Sequence, residues 1–205
     1  MAATMRASRT PAVPGSSDRP RPLVVATFLV IGAGVMLFAG LLGSYGAARH
    51  AATARGEEWL PESVLLPNVP LAVTYLSLVM SSVTAQWSVA AIVTGARNQM
   101  YLAVGLTLVL GAAFVNGLTF AWQRLGLGAA DGDFATWMYA LTVTHLVVVV
   151  SAMVLFLVLG FRALGGQFSP RDRQFVDCAA AFWHFTVAAG AAIWIAVWFL
   201  EGKPA

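Results

Sequence analysis

The sequence predicts an all-α, polytopic membrane protein built as a bundle of five transmembrane helices. Three observations predict it. Of 205 residues, 59% are hydrophobic and only 10% are charged. The apolar residues also fall in five separate runs, each near the ~20 residues that cross ~30 Å of hydrocarbon. One soluble core would not hide so much apolar surface. The single cysteine, Cys178, rules out an internal disulfide and a thiolate metal site, and its expected role is packing. The formal charge of +3 matters by where the basic residues fall; no nucleic-acid partner is expected.

Residues 1–21 are rich in Pro, Ser and Arg and lack apolar periodicity, which predicts a disordered cytoplasmic tail. Residues 22–205 form the membrane domain. Its first span, 22–47, is far longer than the 7–15 apolar residues of a cleaved signal peptide, so it is expected to be retained. The remaining spans are predicted at 70–95, 100–123, 136–161 and 177–200.

Basic residues set the expected orientation. With the amino terminus cytoplasmic, Arg6, Arg9, Arg19, Arg21, Arg97, Arg162, Arg171 and Arg173 lie inside, and Arg49, Arg55, Arg124 and Lys203 lie outside. That excess fits the positive-inside rule and places the carboxyl terminus outside a bacterial cell membrane. No internal repeat is visible, which argues against the common transporter plans.

Within the spans, small and hydroxyl residues recur at helical spacing. Thr74, Ser77, Ser81, Thr84 and Ser88 form one stripe of the second span. Gly105, Ala112, Asn116, Thr119 and Gln123 form one on the third, and Gly32, Ala39, Gly43 and Gly46 one on the first. Such residues let backbones approach closely and offer interhelical hydrogen bonds, so each stripe is expected to be a packing seam. On the fourth span Thr142, His145, Val149 and Ala152 share a side; on the fifth, Ala181, His184, Ala188, Ala191 and Ala192 do. Both histidines are thus expected to face the interior.

An intramembrane histidine is a functional-site hypothesis by default, yet it can be buried neutral if its ring nitrogens find partners. The other roles open to His145 and His184 are lipid or subunit contact, proton relay and haem ligation. Two histidines on successive spans are the minimum for bis-histidine haem. Counting ~1.5 Å per residue puts His145 ~14 Å below the outer edge and His184 ~11 Å above the inner edge, so depth alone does not separate them. Against haem, no run of glycines on both helices clears space for a porphyrin, and His50 falls in a loop. No other metal set exists. No buried carboxylate pair, phosphate loop or nucleophile with a local base appears in the spans, so no catalytic residue is expected.

Several segments carry a resemblance spanning roughly residues 22–200. GVMLFAGLLGSY (34–45) resembles the E-x-M-F-F-A-G element of the haem-copper cytochrome c oxidase subunit III family. SSVTAQWSVAA (81–91) resembles its S-S-x-T-x-Q segment, YALTVTHLVVV (139–149) its Y-x-x-T-x-x-H helix, and FWHF (182–185) its Y-W-H-F. EEWLPESVLLPNVP (57–70) is similar to its proline-rich outer loop. In this order and spacing the set is fairly specific. Departures mark a divergent, short member: Gly34 and Ala121 replace family glutamates, Val148 replaces a second histidine, and Val187 replaces an aspartate.

The resemblance implies a subunit without a redox cofactor. It implies packing against the catalytic subunit I, and possibly subunit II, of a respiratory terminal oxidase, with phospholipid bound and proton uptake supported. Lipid or subunit contacts then fall to His184 first, with Trp183, and to His145, Ser81, Thr84 and Asn116. Two alternatives stay open: an accessory protein of nitric oxide reductase, and a small b-type membrane cytochrome. A self-contained transporter is disfavoured by the lack of repeats and buried charge.

Overall fold

The computed structural model describes residues 22–61 and 64–201; the expected tail, Glu62 and Lys203 lie outside the described residues. Among the described residues, five helices are long and apolar enough to cross a membrane. They are α1 (Pro22–Ala54), α2 (Asn68–Val93), α3 (Arg97–Leu125), α4 (Asp133–Leu164) and α5 (Gln174–Ile193), the last continued by a π-helical turn, Trp194–Phe199.

Each helix boundary has a local cause. Helix α1 runs seven residues past its expected end because Ala47, Ala48, Ala51, Ala52 and Ala54 are strong helix formers. At ~1.5 Å per residue its 33 residues overshoot the hydrocarbon. Arg49 and His50 therefore sit on helix rather than in the loop expected for His50. Helix α2 starts among Pro67 and Pro70, which suit a helix's entry but not its interior. Helix α3 stops at Gly126, whose φ of 63° lies in the left-handed region that glycine occupies freely.

Helix α2 packs most extensively against α3; α5 touches α4, α2 and α1, and α4 also meets α3 and α1. Gly117 sets the α2–α3 approach, since a Cβ there would collide with the side chain of Thr74. The core is apolar and aromatic, with Phe114, Phe156, Trp183 and Trp198 among its largest fully buried side chains.

The second-span stripe lies inward as expected: Thr74, Ser81 and Ser88 are buried, and Ser77 and Thr84 half-buried. So do Thr142, His145, Val149 and Ala152 of α4. Three other faces correct the sequence reading. On α1, Gly32, Ala39, Gly43 and Gly46 are all exposed; the packed line is instead Ile31, Gly34, Phe38, Leu41, Tyr45 and Ala52. On α3, Gly105, Ala112, Asn116 and Gln123 point away from the bundle, and Met100, Thr107, Gly111, Phe114 and Leu118 point in. On α5 the buried line is Ala179, Trp183, Thr186, Gly190 and Ile193, so the expected face is off by about one residue, or roughly 100°. Ala188 is exposed, and Ala181, His184, Ala191 and Ala192 are half-buried. All three errors have one source: in lipid an outward face is as apolar as an inward one, so small residues do not mark the interior by contrast.

At the end of the bundle holding Ala54, the π-turn replaces the regular helix expected through residue 200. Its wider bond, from the Leu200 amide to the Ile195 carbonyl (3.1 Å), re-aims the last side chains. Trp198 Nε1 donates to the Tyr75 hydroxyl at 3.3 Å. Glu201 accepts from the Tyr45 hydroxyl at 3.0 Å and from Arg49 Nε at 2.6 Å.

Candidate functional site

Two adjacent residues of α5 meet two adjacent residues of α2. Trp183 Nε1 donates to Ser81 Oγ at 2.9 Å, and Ser81 in turn donates to the Leu78 carbonyl within its own helix. One residue along, Ser82 Oγ lies 2.6 Å from His184 Nδ1, and His184 Nε2 lies 3.1 Å from Gln86 Oε1. A carboxamide oxygen only accepts, so Nε2 carries a proton and donates to Gln86, while the Ser82 hydroxyl can donate to Nδ1 or accept from it. His184 is thus held at both ring nitrogens by side chains of one helix.

The two positions differ in depth. Trp183 is fully buried, against Phe156 at a ring separation of 4.9 Å. Gly111 makes room for it: a Cβ there would lie 3.0 Å from Trp183 Cη2. His184 is half-buried at the α2–α5 seam, and its partner Gln86 is exposed on the outer side of α2. The chain Ser82, His184, Gln86 therefore leads from the seam to the surface that faces lipid or another protein.

His145 lies elsewhere and is wholly buried. Its Nε2 is 2.9 Å from the Thr186 carbonyl, an acceptor, so Nε2–H donates to it and Nδ1 is left without a partner. Phe38 and Phe114 present edges to the ring at 6.0 and 5.5 Å. Gly190 clears the opposite side, where a Cβ would lie 2.8 Å from His145 Cε1. The two histidines thus bind different partners, and three of their four ring nitrogens are already engaged by the protein.

Of the remaining expected site residues, Thr84 Oγ1 stands 2.8 Å from Thr107 Oγ1, linking α2 to α3. Asn116 is exposed and its side chain makes no hydrogen bond to another helix among the described residues, which corrects its place in an internal seam. The structure brings together Ser81, Trp183 and His184, and keeps His145, Thr84 and Asn116 apart from them. Sequence reasoning missed Ser82, Gln86, Thr107 and Thr186 as partners. Ser82 and Gln86 were findable, because they lie four apart on one flank of α2 and inside the SSVTAQ segment.

The family departures also acquire a physical setting. A Cβ on Gly34 would sit 2.5 Å from the Phe185 ring, so the volume a longer side chain would need there is filled. Ala121 is fully buried and Val187 nearly so, within the apolar core.

At the Ala54 end, Arg55 grips Glu57 with two bonds of 2.8 and 2.6 Å, which hold the Glu57 carboxyl below the usual carboxylate range. Trp59 is buried against Tyr45 and Phe134, and its Nε1 donates to the Tyr45 hydroxyl at 3.1 Å. Among the described residues no group of three His, Cys, Asp or Glu side chains is placed to hold a metal ion.

Comparison with known proteins gives a consistent result. The family model described as cytochrome c oxidase subunit III matches residues 18–201. The chain is 29% identical over 190 residues to a probable cytochrome c oxidase subunit 3 of Nocardia farcinica, covering 91% of this chain and 92% of the relative. It is 27% identical over 188 residues to the cytochrome c oxidase subunit 3 of Corynebacterium diphtheriae, covering 90% and 91%. A sea-urchin relative, from Paracentrotus lividus, is 28% identical over 188 residues, covering 89% of this chain and 69% of its own length.

Proposed function

The chain belongs to the cytochrome c oxidase subunit III family, and from that premise we propose that it serves as a non-catalytic subunit of a respiratory haem-copper terminal oxidase. The observation that carries this reading is the family match over residues 18–201. The structure supports it through the use of the intramembrane polar groups: Ser81, Ser82, Gln86, Thr84, Trp183 and His184 join helices to one another. The names of the relatives favour neither nitric oxide reductase nor a b-type cytochrome.

In this role the chain packs against the catalytic subunit, with subunit II a second neighbour, and sustains proton uptake and working lifetime. Phospholipid is its expected companion. A groove of about 490 Å³ between α1, α4 and α5, lined by Leu23, Val30, Val154, Phe175 and Phe182, offers apolar walls for an acyl chain. The chain is a multi-pass membrane protein, and the arginine asymmetry supports a cytoplasmic amino terminus. A reporter after Ala205 would then be active only outside.

Affinity capture of the tagged chain from native membranes tests the reading. It should recover a haem-copper catalytic subunit, and deletion of the chain should leave an oxidase that turns over at first but loses activity faster. Recovery of nitric oxide reductase subunits, or of no oxidase subunit, would refute it. The chain expressed alone should show no stoichiometric reducible Soret band; one abolished by His145→Ala or His184→Ala would make it a cytochrome.

A further inference from the structure

Two carboxamides sit at hydrocarbon depth on the outer surface of the bundle, and they are treated differently. Gln86 is bonded to His184. Asn116 is exposed, and its side chain finds no hydrogen-bond partner among the described residues. Nor is it near an end: it lies ~14 Å from the Leu125 end of α3 and ~28 Å from the Arg97 end, at ~1.5 Å per residue.

Several hydroxyls on or near the outer side of the spans bond their own helices. Thr27 donates to the Leu23 carbonyl, Ser151 to that of Val147, and Thr119 to those of Val115 and Asn116. Ser44 can turn back on its own helix in the same way. Asn116 presents two donors and an acceptor, and the intact turns of α3 leave no free backbone group for them. Lipid tails offer none either.

We infer that the outward face of α3 around Asn116 is the contact for a transmembrane helix of another subunit of the complex, one that carries a hydrogen-bonding side chain at the same depth. The face suits such a neighbour in shape as well as in polarity. Gly105 and Ala112 stand on the same line as Asn116 and are exposed, and an added Cβ at Gly105 meets nothing within 4 Å. A partner backbone can therefore approach closely enough for a direct bond. This inference rests on the subunit reading above and names the surface that reading leaves open.

The test uses the assembled complex. A benzophenone-bearing residue placed at Val109, which is 64% exposed beside this line on α3, should cross-link to another subunit on illumination. The same residue at Met36 of α1, 78% exposed, serves as the comparison and should give no such adduct. Asn116→Leu should lower retention of this chain in the complex by roughly threefold or more, the effect of one interhelical hydrogen bond, while the isolated bundle stays as stable or becomes more so.

An adduct with a second copy of this chain, no protein adduct from Val109, or unchanged retention of Asn116→Leu would overturn the α3 assignment. If the oxidase subunits still co-purify in that case, the subunit reading stands and only the surface is wrong. If none co-purifies, both fall.

Discussion

Ser82 and His184 join α2 to α5 across 2.6 Å, directly beside the Trp183–Ser81 bond. The pairing makes His184 a positioning residue between helices, its second nitrogen turned to Gln86 at the surface. His184→Ala would leave Ser82 and Gln86 without their partner in a low-dielectric seam, at ~1–3 kcal/mol, or about tenfold per 1.4 kcal/mol in association. Purified complex carrying the mutation should start turnover at nearly the wild-type rate but lose this subunit or its activity sooner. An immediate loss of initial rate with full subunit stoichiometry would place His184 in turnover itself.

Gly190 is predicted to tolerate no side chain. A Cβ there would lie 2.8 Å from both His145 Cε1 and Leu78 Cδ2, where buried rings and helices leave little room to move. Gly190→Ala should destabilise the bundle by ~1–3 kcal/mol through overpacking, read as a lower unfolding midpoint in mixed micelles. Gly43→Ala, at a site where an added Cβ meets nothing within 4 Å, should leave the midpoint within about 0.5 kcal/mol.

Glu201 ties the end of the fifth helix to α1 through Tyr45 and Arg49. Its side chain is 7% exposed but that of Arg49 is 44% exposed, so solvent screens the pair. Glu201→Gln keeps an acceptor for Tyr45 and removes only the charge, at ~0.5–1 kcal/mol. Glu201→Ala also strips the Tyr45 hydroxyl of its acceptor and should cost more. Amide hydrogen exchange over residues 195–201 should quicken in that order; equal rates in both variants and wild type would show that the latch contributes nothing.

The Arg55–Glu57 pair predicts a pH response with a definite sign. Because the Glu57 pKa is depressed in the folded state by the Arg55 hydrogen bonds, the stabilisation is present above the ordinary carboxylate pKa. It is lost as pH falls through the lowered value. Carboxyl titration followed by NMR should show Glu57 rising toward the usual range in Arg55→Ala. No rise would mean that the pair does not persist in solution.

Apolar run lengths alone determined that the described residues hold five helices long enough to cross a membrane, because hydrocarbon thickness sets how many residues a helix needs. Alanine propensity determined that α1 would continue, although the loss of hydrophobicity near Arg49 hid this. The family was legible in SSVTAQ and FWHF, short segments whose residues meet in space as Ser81 with Trp183 and Ser82 with His184. Only the tertiary structure decided which faces point inward. The hydroxyl stripe of α2 faces its neighbours, whereas the comparable stripes of α1 and α3 face out and that of α5 is turned by a residue. The reason is the solvent: water would have sorted polar from apolar faces, but lipid is as apolar as the core. Orientation is then left to the fit of particular side chains, such as Phe185 over Gly34, Trp183 over Gly111 and His145 beside Gly190.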